Sequence, residues 1–338
     1  MKNKTSSVAW WPLAIAFLVF LMVIIGGITR LTDSGLSMVD WRPLMGAIPP
    51  LNEHQWMEVF HRYKQYPEYL HHNQGMTLLE FKRIFFWEYF HRLVGRLIGI
   101  VFLVPWIYFN LKKKLNFALN KKFAVAFILG GLQGLLGWFM VKSGLVLRPD
   151  VSHFRLAAHL LLAFFILGYL FWIILDLMSI PKEKKTKKQK KFRSYSWSIL
   201  MLVILQIAFG AFTAGLRAGF FMNTFPLMDG QWFPTGYLNV VPVWKNFVEN
   251  PIHVQFVHRT LGWVVLFAII SFFIAVRKAR SSKKYRIGAT MLLHMTLLQF
   301  LLGVGTLVMA VPIPLAVIHQ LGAGVLFLIA IYNVKIWA

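Results

Sequence analysis

Four histidines, His91, His159, His258 and His319, lie inside long apolar stretches of a chain that holds eleven histidines and no cysteine. An ionisable side chain at membrane depth is costly unless it is used, so each one is a candidate ligand or proton carrier. Each is followed four residues later, one helical turn along the same face, by a small residue: Gly95, Ala163, Gly262 and Ala323. A flat macrocycle held edge-on between helices needs an imidazole with such a gap beside it. Imidazoles acting as hydrogen-bonding glue, with small residues letting helices close up, would account for any one of these sites. Four sites of the same pattern point instead to haem iron. Zinc is a poor fit, because a carboxylate does not accompany each pair of histidines and their separations are not those of a short-spaced site. The absence of cysteine excludes iron–sulfur clusters, thiolate zinc sites and Cys-attached haem.

Internal similarity pairs the ligands. EYFHRLVGR (88–96) aligns with QFVHRTLGW (255–263), LQGLLGWFM (132–140) with LQFLLGVGT (298–306), and AAHLLLA (157–163) with VIHQLGA (317–323). Three markers in one order at nearly one offset indicate two halves of four helices each. IGGITRLT (25–32) then corresponds to FGAFTAGL (209–216). His91 pairs with His159 and His258 with His319, giving one bis-imidazole haem site per half. Arg92 and Arg259 directly follow two of the ligands and suit haem propionates, although an arginine at this depth also snorkels to headgroups. Glu88 precedes His91 by one turn, whereas the aligned residue is Gln255. Glu88 reads either as a plain surface carboxylate or as a functional group, and in the second case the first half holds proton-handling chemistry while the second only stores or passes electrons. His153 is a weaker ligand candidate, since its counterpart is Ile313. His54, His61, His71 and His72 fall on a polar loop, and His253 and His294 have no repeat partner.

The elements that must position these residues follow from hydropathy and charge. The chain is 58% hydrophobic and 14% charged, with 31 Phe and 13 Trp, the composition of a membrane protein. Uncharged apolar runs at 8–29, 97–111, 123–141, 156–175, 194–216, 260–276, 287–311 and 315–334 each extend to a bilayer-spanning length. Eight helices result, with Pro312 and Pro314 breaking the last run into a hairpin. One side then carries 22 Lys and Arg against two acids, and the other 14 against ten. The positive-inside rule therefore places both termini in the cytoplasm. In that topology the four histidine-bearing helices run parallel, and their histidines share one depth near the outer boundary. The expected organisation is a bundle at 1–181 with a long outer loop at 30–87, a basic cytoplasmic linker at 182–193, and a second bundle at 194–338. The linker's charge is read as solvated or attracted to anionic lipid, not as a nucleic-acid site. EHQWMEVFHRYKQY (53–66) reads as an amphipathic segment on the outer face. No cleavable signal precedes the first helix, and a bacterial inner membrane is the simplest location.

GGITRLTDSGLSMVDWRPLMGAIPP (26–50), FKRIFFWEYFHRLVGR (81–96), AGLRAGFFMNTFPLMDG (214–230) and VQFVHRTLGW (254–263) resemble the haem A synthase family in its proteobacterial and mitochondrial form. The resemblance covers essentially the whole chain. It implies an eight-helix enzyme that oxidises the C8 methyl of haem O, through a hydroxymethyl group, to the formyl of haem A for cytochrome c oxidase. It further implies that His91 and His159 hold the substrate haem, that His258 and His319 hold a haem b, and that Glu88 is the carboxylate beside the substrate. One branch of the family carries a loop Cys pair, which this chain lacks. The partners expected with this activity are haem O synthase, cytochrome c oxidase assembly factors, an electron-transfer partner and membrane lipid; homo-oligomerisation stays open. The competing expectation is a di-haem b cytochrome that only passes electrons. It explains the histidines equally well, but neither the Glu88/Gln255 difference nor the long specific loops.

Overall fold

A computed structural model of the chain describes residues 2–39, 46, 48–144, 151–178 and 186–338. Its described regular structure is helical: α1 (Lys2–Leu31), α2 (Glu53–Tyr63), α3 (Pro67–His72), α4 (Leu78–Leu111), α5 (Phe117–Gly144), α6 (His153–Leu177), α7 (Lys187–Gly215), the short α8 (Asn246–Glu249), α9 (Pro251–Lys278), α10 (Lys283–Val308) and α11 (Ile313–Trp337), with single 3₁₀ turns at Ala218–Phe220 and Val243–Lys245. Eight of these, α1, α4 to α7 and α9 to α11, are long and apolar enough to cross a bilayer. Helices are the open-chain solution to hydrocarbon, because each one satisfies its own backbone N–H and C=O groups. Pro12 and Pro105 sit inside α1 and α4, where membrane helices tolerate them.

Local chemistry sets the helix ends. Thr77 caps α4 in a capping box with Glu80, and Thr186 caps α7 in the same way with Gln189. Asn250 accepts from the first N–H groups of α9, with Pro251 at the first helical position. Pro312 caps α11, so the VPIP sequence makes the expected hairpin; Ala310 and Val311 both adopt positive φ in its turn. Of the basic stretch at 182–193, residues 182–185 lie outside the described residues. From Lys187 onward it is the opening of α7, not an irregular linker.

Packing divides the chain into two compact units, residues 14–166 and residues 1–13 with 167–338; the divisions fall inside α1 and α6. In the larger unit, α7, α9, α10 and α11 present stripes spaced three or four residues apart. Examples are Ile199, Val203, Ile207 and Ala211 on α7, and Val265, Ile269, Phe272 and Val276 on α9. In the unit 14–166, α5 buries little of itself, and Phe127, Ile128, Leu132, Leu135 and Phe139 are exposed, the face a helix offers to lipid. The amphipathic segment after residue 52 forms α2, whose apolar face meets protein. Phe60 and Tyr63 are buried with Phe81 and Phe85 of α4, and Trp56 packs edge-on to Phe85. Burial, followed by the neighbouring Glu68 carboxylate, pushes the Tyr63 phenol above its ordinary pKa.

Candidate functional site

Each of the four histidines stands on a spanning helix, 18–20 residues before the helix's C-terminal end at Leu111, Leu177, Lys278 or Trp337. Each imidazole rests against a glycine of the preceding spanning helix. A Cβ on Gly26, Gly137 or Gly210 would lie 3.1 Å from Cε1 of His91, His159 or His258, and one on Gly303 would lie 2.9 Å from Cε1 of His319. No larger residue fits at these four positions without moving the ring. His91 and His159 are near enough for their charges to interact, and so are His258 and His319. The two pairs expected from internal similarity are therefore brought together, one in each unit.

One turn before the glycine, three of the helices carry a glutamine that reaches the same histidine twice. Gln133 Nε2 lies 3.2 Å from a ring nitrogen of His159 and donates to its main-chain carbonyl at 3.1 Å. Gln206 is 3.2 Å from Nδ1 of His258 and 3.1 Å from its carbonyl. Gln299 is 3.1 Å from Nδ1 of His319 and 2.8 Å from its carbonyl. In α1 the equivalent position is Met22. The small residues after two of the histidines do not face an open gap: a Cβ on Gly95 would meet Met22 Cε, and one on Gly262 would meet Gln206 and Phe300.

Glu88 is 3% exposed and bound by three donors. Arg92 donates to Oε1 at 2.5 Å, while the Ser37 hydroxyl and the Met38 N–H each donate to Oε2 at 2.7 Å. Arg92 also donates to the Met38 carbonyl at 3.1 Å. Together they strap the segment following α1 onto α4. Gln255, 2% exposed, does the matching work with opposite polarity, its amide donating to the carbonyls of Ala218 and Phe221 at 2.7 and 2.6 Å. Arg259 donates to the carbonyls of Thr224 (2.9 Å), Leu227 (3.4 Å) and Met222 (2.6 Å), leaving its buried Nε without a partner. The Glu/Gln difference thus follows the backbone group each loop presents: N–H and hydroxyl donors near residue 37, and carbonyls at 218–221.

The remaining histidines stand apart from the two pairs. His54, His61, His71, His72 and His294 are exposed. His253 is buried with Nδ1 2.8 Å from the Tyr237 carbonyl, and the His153 ring lies tilted against Phe154. Among the described residues no group of three or more His, Asp or Glu side chains forms a metal cage. Two imidazoles per unit could supply two axial ligands, a set that suits a metal already held by four macrocycle nitrogens. The buried Nδ1 atoms of His91 and His159 have no hydrogen-bond partner, as expected of rings whose bonding is completed by a bound group.

Fold and site define an eight-span helical membrane protein with one buried imidazole pair in each of two packed units. The family model described as cytochrome oxidase assembly protein, COX15-CtaA, matches residues 9–331, and the chain belongs to that family. A protein of Nitrosospira multiformis named heme A synthase is 45% identical over 326 residues, covering 96% of this chain and 92% of its own length. One of Flavobacterium psychrophilum with the same name is 45% identical over 337 residues, covering 98% of each. A third, from Parvibaculum lavamentivorans, is 44% identical over 328 residues, covering 97% of this chain and 93% of its own.

Proposed function

We propose that this chain is a haem A synthase, which oxidises the C8 methyl of haem O to the formyl of haem A by way of a hydroxymethyl group. The observation that carries this reading is the near-complete, 45% identical match to proteins of that name. The two imidazole pairs are its physical counterpart. His91 and His159 hold the substrate haem in the unit 14–166, and His258 and His319 hold a haem b in the other. Recurrence of the glycine–histidine packing in both units supports two related four-helix halves.

Bound haem supplies the redox metal that two successive two-electron oxidations of a methyl group require. The protein's own residues fix and surround it. Gly26 and Gly137 let the ligand rings seat between helices, and Gln133 braces His159. Glu88, held by Arg92, Ser37 and the Met38 N–H, takes up the proton released as the methyl C–H bond is broken. Arg92 and Arg259, which directly follow His91 and His258, meet haem propionates.

The charge distribution supports a bacterial inner-membrane location with both termini in the cytoplasm. Haem O synthase, oxidase assembly factors and an electron-transfer partner complete the setting. The test is to express the chain with a haem O synthase and identify the extracted pigments by mass. Haem A or its hydroxymethyl precursor is expected with the wild type, and haem O alone with His91→Ala. Haem O alone from the wild type, in cells with a working respiratory chain, would favour the electron-transfer cytochrome instead.

A further inference from the structure

The loop between α7 and α9 is built inside out. Its apolar residues Trp232, Phe233, Val241, Val243 and Trp244 are 59–84% exposed, whereas Asn246, Asn250 and, in the first turn of α9, His253 are at most 4% exposed. Those polar side chains hold the loop together from within. Asn246 accepts from the Val240 N–H at 3.1 Å and donates to the Val240 and Val243 carbonyls at 2.7 and 2.9 Å. Asn250 donates to the Gly236 carbonyl at 2.8 Å, and His253 Nδ1 lies 2.8 Å from that of Tyr237. The segment at α2 has the ordinary polarity, with Phe60 and Tyr63 buried and His54 and His61 exposed. Against water, so many large apolar side chains around a polar interior would be unfavourable, and such a surface marks an apolar neighbour.

The helix beneath the loop fixes its level. α9 ends on Arg277 and Lys278, which mark one edge of the hydrocarbon. Counted back from them at ~1.5 Å per residue, a core of about 30 Å reaches its other edge near Phe256. The Phe256 ring packs against Phe233 and Tyr237 of the loop, with centroids 5.7 and 5.9 Å away. The loop therefore sits where acyl chains give way to headgroups, continuous with the apolar surface that α9 offers to lipid at Val264 and Phe267. No charge occurs from Gly230 to Trp244, so nothing in this stretch selects a partner by electrostatics. Tryptophan and other aromatic rings favour this depth. We propose that the loop at 231–247 lies in the membrane interface, with Trp232, Val241 and Trp244 inserted into the lipid. This holds whether or not the unit carries a haem.

The chain has no cysteine, so single ones can be introduced and spin-labelled. Trp232→Cys, Val241→Cys and Trp244→Cys are made in the full-length protein and reconstituted into vesicles of phosphatidylethanolamine and phosphatidylglycerol. All three positions are exposed, where substitutions disturb folding least. Power saturation then compares collisions with oxygen, which concentrates in lipid, and with a water-soluble nickel chelate. Phe267→Cys, at an exposed position inside the span of α9, sets the lipid value, and His61→Cys on α2 sets the aqueous one. At least two of the three loop labels are expected to shift to the Phe267 value, open to oxygen and closed to nickel. Fewer than two would overturn the proposal. Nickel contact as at His61 would put the loop in water, and protection from both reagents would mean that a protein or a second copy covers it.

Discussion

Glu88→Gln separates the strap that the carboxylate forms from the proton-accepting role proposed for it. The side chains of Glu88 and Arg92 are 4% and 11% exposed. An amide at residue 88 can turn its oxygen to Ser37 and the Met38 N–H, but its NH₂ then faces the guanidinium, donor against donor. Arg92 loses its anionic partner and retains the Met38 carbonyl. Breaking a buried ion pair from one side costs about 3–5 kcal/mol, and the retained carbonyl puts this case at the lower end, roughly 3 kcal/mol. Local opening of the strapped segment should rise by about two orders of magnitude. Hydrogen exchange read by mass spectrometry should show lost protection at Ser37 and Met38 while α4 stays protected. Separately, conversion of haem O per loaded haem should fall by about 10²–10⁴, the usual loss with a general base. Wild-type protection together with wild-type conversion would refute both roles. Lost protection with undiminished conversion per loaded haem would leave Glu88 as a strap and remove it from the chemistry.

Two further outcomes are expected. Gly210→Ala, whose Cβ would press on His258 at 3.1 Å, should displace that ring and lower haem content by up to one per chain; Gly134→Ala, with nothing within 4 Å of its Cβ, should not. Equal haem content in the two variants would contradict the seating described here. Reporter fusions after Asn116, Lys188 and Ser282 should read cytoplasm, and those after Asn52 and Asp229 the outside; an outside signal at Lys188 would overturn the orientation.

Much of this was legible in the sequence because membranes make strong demands on it. Eight apolar runs, the VPIP break and four intramembrane histidines need no tertiary information. The glycines that seat the histidine rings were legible too, as L-[Q/M]-x-x-x-G four times over, although only the copies at 132 and 298 stand out in so apolar a chain. What stayed hidden depended on backbone polarity in three dimensions. Glu88 against Gln255 reads as a chemical difference, yet each is matched to the N–H or C=O groups that its own loop turns inward. Gly95 and Gly262 read as room for a macrocycle, whereas the preceding helix fills that room with Met22 or Gln206. The same small residue serves either purpose, and periodicity does not distinguish them. Residues 187–193 read as linker because their charge masks the capping box that starts α7.

The proposed function requires two haems held by two separate imidazole pairs. The decisive measurement is the haem content and low-temperature electron paramagnetic resonance of the purified oxidised protein, alongside His91→Ala and His258→Ala. Two low-spin bis-imidazole signals per chain are expected, the first variant losing one and the second variant the other. A single haem lost equally in both variants, or high-spin signals at both sites of the wild type, would contradict it.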